Sequence, residues 1–279
     1  MSLIKFNNFH FRYKGNDEYA LKNINLEIKQ NRFILLAGET GSGKTTLIRC
    51  LNGLIPQFYA GYYKGFVEIS GKNTNETTIS ELSNDVGIVF QNPENQLIAM
   101  NVEHEIAFGL ENLGIPREQI RQKIEETIKL TEIEDILDKA PFEISGGEQQ
   151  RVAIASILVI EPNIIVLDEP TANLDPLFAK KILALLKKIQ VEKGITIIIS
   201  EHRMDLILPI VDDIILMKGG EVLDYGVKDK IINSDTFKNL NVNKPKIYSV
   251  FNELRKRNQF KHDIPVSIPD AIKIIKSMI

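Results

Sequence analysis

The chain opens in alternation. Residues 3–12 run roughly apolar–polar and residues 24–28 do so again, which predicts half-buried strands of an edge sheet. Phe33-Ile34-Leu35-Leu36-Ala37 is instead a continuous apolar run stopping at Gly38, the pattern of a strand buried on both faces. The period then lengthens: Leu47, Ile48, Leu51 and Leu54 recur at helical spacing. Residues 86–90 predict another buried strand, ending at Gln91. Residues 116–134 are charged, with Ile120, Ile124, Ile128 and Leu130 on or near one face, and predict a helix. Beyond them the pattern predicts helices over 145–160, 179–191 and 204–211 and strands over 164–167 and 195–200. Strands alternating with helices predict an α/β fold with a mostly parallel sheet covered on both faces.

From about residue 229 the composition shifts to Lys, Asn and isolated apolar residues, which reads as a separate C-terminal extension. Within it, Ser267 and Asp270 form a helix-start pair and Pro269 sits in the first turn. Ile268, Ala271, Ile272, Ile275, Met278 and Ile279 then recur at helical spacing. Such an apolar face must be covered, by the chain's own body or by a partner.

The 279 residues allow one large domain with a small extension. The 43% apolar and 25% charged contents are those of a soluble globular protein. With a net charge of −3 nothing points to nonspecific nucleic-acid binding, and Lys187-Lys188 and Arg255-Lys256-Arg257 read as solvated faces. One cysteine, Cys50, allows no internal disulfide, suits a reducing compartment and reads as a small buried hydrophobe in an apolar-periodic helix. The first residues lack the features of a signal peptide, and no stretch approaches the roughly 18 apolar residues of a transmembrane helix. Any link to a membrane is expected to run through another protein.

Gly38-Glu39-Thr40-Gly41-Ser42-Gly43-Lys44-Thr45 fits G-x-x-x-x-G-K-[ST] between an apolar strand and an apolar-periodic helix. Its glycines let backbone N–H groups curl around phosphate oxygens, and the helix N-terminus adds partial positive charge. Lys44 is expected on the β- and γ-phosphates and the Thr45 hydroxyl on Mg²⁺. Residues 164–167 end in Asp168-Glu169; there Asp168 would hold Mg²⁺ through water and Glu169 would orient the attacking water. Ser145-Gly146-Gly147-Glu148-Gln149 precedes a helix that Ser145 can cap, and exposed N–H groups there can hold an anion.

Taken in order, the phosphate loop, Gln91, Ser145-Gly146-Gly147, Asp168-Glu169, Asn173-Leu174-Asp175 and Glu201-His202 resemble the ATPase domain of ABC transporters over about residues 3–225. The resemblance implies a P-loop NTPase fold of the ABC ATPase type. It would have an N-terminal antiparallel β-subdomain and a helical subdomain at about 92–160, within an ATPase domain of residues 1–228. The extension would span 229–279. Residues 145–149 look like the family's signature sequence, residues 173–175 like its D-loop, Gln91 like the Q-loop glutamine and His202 like the switch histidine. Tyr13 sits where the family stacks an aromatic on adenine; otherwise it is an ordinary edge-strand aromatic.

By resemblance, ATP would be bound by Tyr13, Gly38, Glu39, Thr40, Gly41, Ser42, Gly43, Lys44, Thr45, Thr46 and Gln91, and Mg²⁺ by Thr45, Gln91 and Asp168. Catalysis would fall to Glu169 with His202, Lys44 and Gln91. Ser145, Gly146, Gly147 and Asp175 would serve the ATP of a second ATPase subunit, identical or related, in a sandwich dimer. Two positions depart from the family: Glu148 replaces the usual Gln, and Glu201 the frequent Thr. A carboxylate beside ATP repels phosphate unless it points away, so no direct role is expected for Glu148.

Residues 90–96 and Ser200-Glu201-His202-Arg203-Met204-Asp205 further resemble the ATPases of energy-coupling-factor importers, which take up vitamins or transition metals. In that group a C-terminal extension of this size helps pair the subunits. The resemblance implies a cytoplasmic, peripheral subunit working with an integral coupling subunit and a substrate-binding membrane subunit. The rival reading is a soluble ABC ATPase acting on ribosomes or DNA ends. Ribosome-acting members carry two motif sets against one here, and DNA-end members need a coiled coil for which residues 43–145 leave no room.

Overall fold

The computed structural model describes residues 2–278, with side chains as far as Lys276. Strands β1 (Ile4–Tyr13) and β2 (Leu21–Ile28) lead into β3 (Phe33–Gly38), helix α1 (Lys44–Leu51) and the short α2 (Leu54–Gln57). Then come β4 (Gly61–Ile69), β5 (Lys72–Asn73), α3 (Ile79–Leu82) and β6 (Val86–Val89). Three helices follow: α4 (Val102–Asn112), α5 (Arg117–Thr131) and α6 (Gly146–Leu158). The alternation resumes with β7 (Ile164–Asp168), α7 (Pro176–Lys193), β8 (Thr196–Ser200) and α8 (Met204–Ile207). A hairpin of β9 (Asp213–Lys218) and β10 (Glu221–Val227) precedes α9 (Lys228–Asn233), α10 (Asp235–Asn239), α11 (Lys246–Lys256) and α12 (Ile268–Met278).

These strands make two sheets. The antiparallel one has the order β2-β1-β4-β5, and the other β10-β9-β3-β8-β7-β6, parallel throughout except for β10. Side chains alternate across a strand, so each central strand serves two cores. Ile34, Leu36, Val166 and Ile198 pack with α1 and the inner face of the antiparallel sheet. Phe33, Leu35, Ile165, Leu167 and Ile197 pack with the helices on the opposite face. Cys50 lies buried in the first cluster. Burial on both faces is why these strands read as continuous apolar runs. Arg32 clamps the sheet from outside, its Nε and Nη2 donating to the two oxygens of buried Asp213 at 2.7 and 2.6 Å.

The predicted central strands and helices all appear, with ends moved by a few residues. The helix expected over 204–211 is only Met204–Ile207, because 208–211 turn toward β9. The hairpin β9–β10 and the strand β4 were not predicted. The turn signal was present: Gly219-Gly220 have φ of 56° and 85°, the left-handed pair that a tight hairpin requires. In β4 the first half is exposed, so no alternation marks it.

The residues beyond 228 pack onto the second core through Ile231, Ile232, Phe237, Tyr248, Phe251, Phe260 and Ile264. Of the predicted stripe on α12 Ala271 is buried, whereas Ile268, Ile272 and Ile275 are 65%, 47% and 45% exposed; Ile274, outside that stripe, packs partly against the core. The side chain of Met278, and Ile279, lie outside the described residues.

Strand β6 touches α6 so closely that a Cβ on Gly87 would lie 1.9 Å from Ile157 Cγ2. Gly87→Ala should therefore force the helix off the sheet and cost about 1–3 kcal/mol. A urea midpoint equal to wild type would contradict this packing.

Candidate nucleotide site

The site is built where β3, β7 and β8 end. Strand β3 stops at Gly38 and the chain curls through residues 39–43 into α1. Gly43 is the N-cap of α1 with φ 102°, and it offers no side-chain cap. A Cβ there would also meet Ala20 O at 2.8 Å, so only glycine fits. The first-turn N–H groups of α1 are thus left to an anion. Lys44 is almost buried and its Nζ donates to the carbonyls of Gly38 and Glu39 at 3.0 and 3.1 Å. Burial pulls its pKa down, opposed by the charges of Glu169 and Asp168. An open cavity of about 220 Å³ is lined by Ala20, Thr40, Gly41, Gly43, Lys44, Thr45, Thr46 and Glu169.

Asp168, at the end of β7, accepts from the Thr45 hydroxyl at 2.8 Å on one oxygen and from the Ser200 hydroxyl at 2.6 Å on the other. The next residue turns sharply: Glu169 has φ 51°, and its N–H is held by Ser200. That turn aims the Glu169 carboxylate into the site. One of its oxygens lies 2.9 Å from His202 Nε2, and the other accepts from Gln91 Nε2 at 3.3 Å. Lys44, Thr45, Gln91, Asp168, Glu169 and His202 therefore converge on one place, although they come from four separate segments.

Tyr13 stands at the end of β1 beside α1. Its hydroxyl is 3.2 Å from Thr46 Oγ1 and accepts from Arg49 Nη1 at 3.1 Å, and its ring meets Phe11 edge-on at 4.8 Å. Arg49 lies 4.4 Å over the Tyr59 ring. Arg49, Tyr59, Ala20 and Ser200 were missed by sequence reasoning; only the helical spacing of Arg49 three residues after Thr46 could have suggested one of them.

Ser145, Gly146, Gly147 and Asp175 are not part of this cavity. They open helices: Ser145 caps α6, and Asp175 caps α7 by accepting from Leu177 and Phe178 N–H at 2.9 and 3.1 Å. Glu148, for which no direct role was expected, turns back on its own helix end. One oxygen accepts from both the N–H and the hydroxyl of Ser145 at 2.7 Å, a capping box, and these bonds lower its pKa. The carboxylate that replaces the family's glutamine is thereby committed to its own helix end.

A family profile described as "ABC transporter" matches residues 21–172. The chain belongs to the ABC transporter family. It is 41% identical over 277 residues to a putative ABC transporter ATP-binding protein of Pyrococcus horikoshii, covering 99% of this chain and 97% of that one. It is 39% identical over 251 residues to another from Methanosarcina mazei, of which it spans 42%; several relatives are likewise about twice its length. Among solved structures, cbiO1 from Clostridium perfringens, part of the ABC transporter complex cbiONQ, superposes with TM-score 0.77 and 31% identity over 99% of both chains. The dimeric ABC cassette MJ0796, bound to ADP and Pi, gives TM-score 0.69 and 33% identity over 81% of this chain. The fold is thus that of the ABC ATPases, and the protein is an ATP-binding, ATP-hydrolysing subunit of a transporter.

Lys44→Ala removes the cationic donor beside the phosphate loop. A lost charge-assisted bond of about 1.5–3 kcal/mol should weaken ATP binding roughly ten- to a hundredfold in calorimetry. Unchanged affinity would move the phosphates away from this loop.

Proposed function

We propose that this ATPase is the motor of an energy-coupling-factor type importer for a vitamin or a transition-metal ion. The observation that carries the proposal is the whole-chain match to cbiO1, which reaches 99% of this chain where the MJ0796 cassette reaches 81%. That difference is about the size of the segment from residue 229 onward. We take residues 1–228 as the ATPase domain, with the helical subdomain at about 92–160, and 229–279 as the extension.

Two ATPase subunits, alike or related, would face each other across their nucleotides. Ser145, Gly146, Gly147 and Asp175 would complete the partner's site, which accounts for their absence from this chain's own phosphate cavity. The exposed face of Ile268, Ile272 and Ile275 on α12 supports an extension that helps hold the pair together. A membrane subunit would dock beside the segment after Gln91. There Ile98 and Phe142, 69% and 85% exposed, line a cavity of about 510 Å³, and Met100, two residues after Ile98, is 86% exposed. No helix among the described residues is long and apolar enough to cross a membrane. The chain would therefore work as a peripheral subunit on the cytoplasmic face, with an integral coupling subunit and a substrate-binding one as partners, and without nucleic acid.

Within the site, Lys44 and the first amides of α1 would bind the ATP phosphates, with Tyr13 against the adenine. Glu39, Thr40, Gly41, Ser42 and Thr46 would wrap the rest. Thr45, Asp168 and Gln91 present a hydroxyl, a carboxylate and an amide, the hard donors that suit Mg²⁺ when phosphates supply the remaining ligands. Bound there, Mg²⁺ supplies neutralisation of phosphate charge. Glu169 would orient and polarise the attacking water, and His202, 2.9 Å from it, would hold that carboxylate toward the γ-phosphate.

Purification of a tagged chain from native membranes should bring down a multi-span coupling protein and a smaller membrane protein. Recovery without any integral partner would favour a soluble ABC ATPase instead. Glu169→Gln keeps the shape but loses the charge, so ATP binding should persist while turnover falls by a factor of roughly a hundred or more. Turnover near wild type would remove Glu169 from the reaction. Ile272→Asp with Ile275→Asp should weaken nucleotide-free pairing in sedimentation without altering ATP affinity, and an unchanged association constant would defeat the role of α12.

A further inference from the structure

Glu201 is 3% exposed, and among the described residues no cation pairs with its carboxylate. A buried carboxylate without a counter-charge persists only if its oxygens are filled by donors. Here they are. One oxygen accepts from the N–H groups of His202 and Arg203 at 2.8 and 3.0 Å. The other accepts a hydrogen bond from the hydroxyl of Thr171, which is fully buried. Thr171 lies two residues after Glu169, and Glu201 one residue before His202. The bridge therefore joins the segment bearing Glu169 to the segment bearing His202, next to their 2.9 Å contact.

A second tie runs parallel to the first. The Arg203 guanidinium donates through Nη2 to the carbonyl of Leu174 at 2.6 Å. His202 is thus flanked on both sides by residues that reach back to the segment 171–174. Its own side chain is 40% exposed, so surrounding packing covers it only in part.

We propose that Glu201 is a positioning residue for ATP hydrolysis: through Thr171 it fixes the switch segment so that His202 meets Glu169. This rests on the reading of Glu169 and His202 as the groups at the attacking water. It explains why a long carboxylate stands where a short hydroxyl would not span from the switch segment to Thr171 while also capping two backbone amides. The same braces tie the segment leading to Asp175 to His202, so a shift of that segment is transmitted to the catalytic contact.

The test uses the full chain with its partner subunits and reads kcat and KM for ATP separately. Thr171→Val keeps the shape of the side chain and deletes only the bridge. Thr171→Ser keeps the hydroxyl and serves as the rescue. Misplacement of His202 should lower kcat by roughly ten- to a hundredfold in Thr171→Val and in Glu201→Ala, with KM within about twofold. The double variant should lose no more than Glu201→Ala alone, because that change already removes the bond that Thr171→Val deletes, and Thr171→Ser should recover most of the rate. If His202→Ala is inactive while Thr171→Val turns over like wild type, the positioning role falls alone. If His202→Ala itself turns over like wild type, the reading beneath it falls too. A loss in Thr171→Val that appears in KM instead of kcat, or that Thr171→Ser does not reverse, would also overturn the proposal.

Discussion

Asp168 holds this molecule's working end together. Its two oxygens accept from Thr45 on the phosphate-loop helix and from Ser200 at the end of β8. Three neighbouring segments are therefore registered on one carboxylate where the sheet ends. Parallel strands bring their carboxyl ends to one edge, and ligand groups collect there. Without that junction, the turn that aims Glu169 would have no fixed relation to the loop that receives phosphate. Ser200 serves twice, because it also holds the N–H of Glu169.

Much of the fold was legible because the central strands are buried on both faces and the helices on one. Those two conditions produce apolar runs and helical periods that few other structures share. The segments that escaped were half-exposed. Strand β4 begins with Tyr62 and Tyr63 in solvent, and β10 alternates only weakly. A strand at a sheet margin has no face to declare in its sequence. Helices α9, α10 and α11 escaped because each buries only one or two side chains against the core, too few to set a period.

The site was legible as a set of motifs and not as a set of contacts. The loop, Asp168-Glu169 and His202 could be named because their chemistry demands those residue types. That His202 and Gln91 would take opposite oxygens of Glu169 depends on where two strands stop, which no spacing along the chain records. Glu148 shows the limit from the other side. Electrostatics alone argued that its charge should avoid the anion, and the structure satisfies that charge locally at the helix cap. A charge and its nearest donors form one unit, and the sequence displays only the charge.

The division of the core has a consequence for how such a chain can change. No side chain of the central strands belongs to both clusters: Ile34 and Leu36 serve one, Phe33 and Leu35 the other. A change of volume beneath α1 is met by the antiparallel sheet, and one beneath α6 or α7 by its neighbouring helices. The helical face, which carries Phe142 and the segment after Gln91, can drift to suit new neighbours while the layer under the phosphate loop keeps its packing. The sheet acts as a firewall between an old chemistry and a negotiable surface.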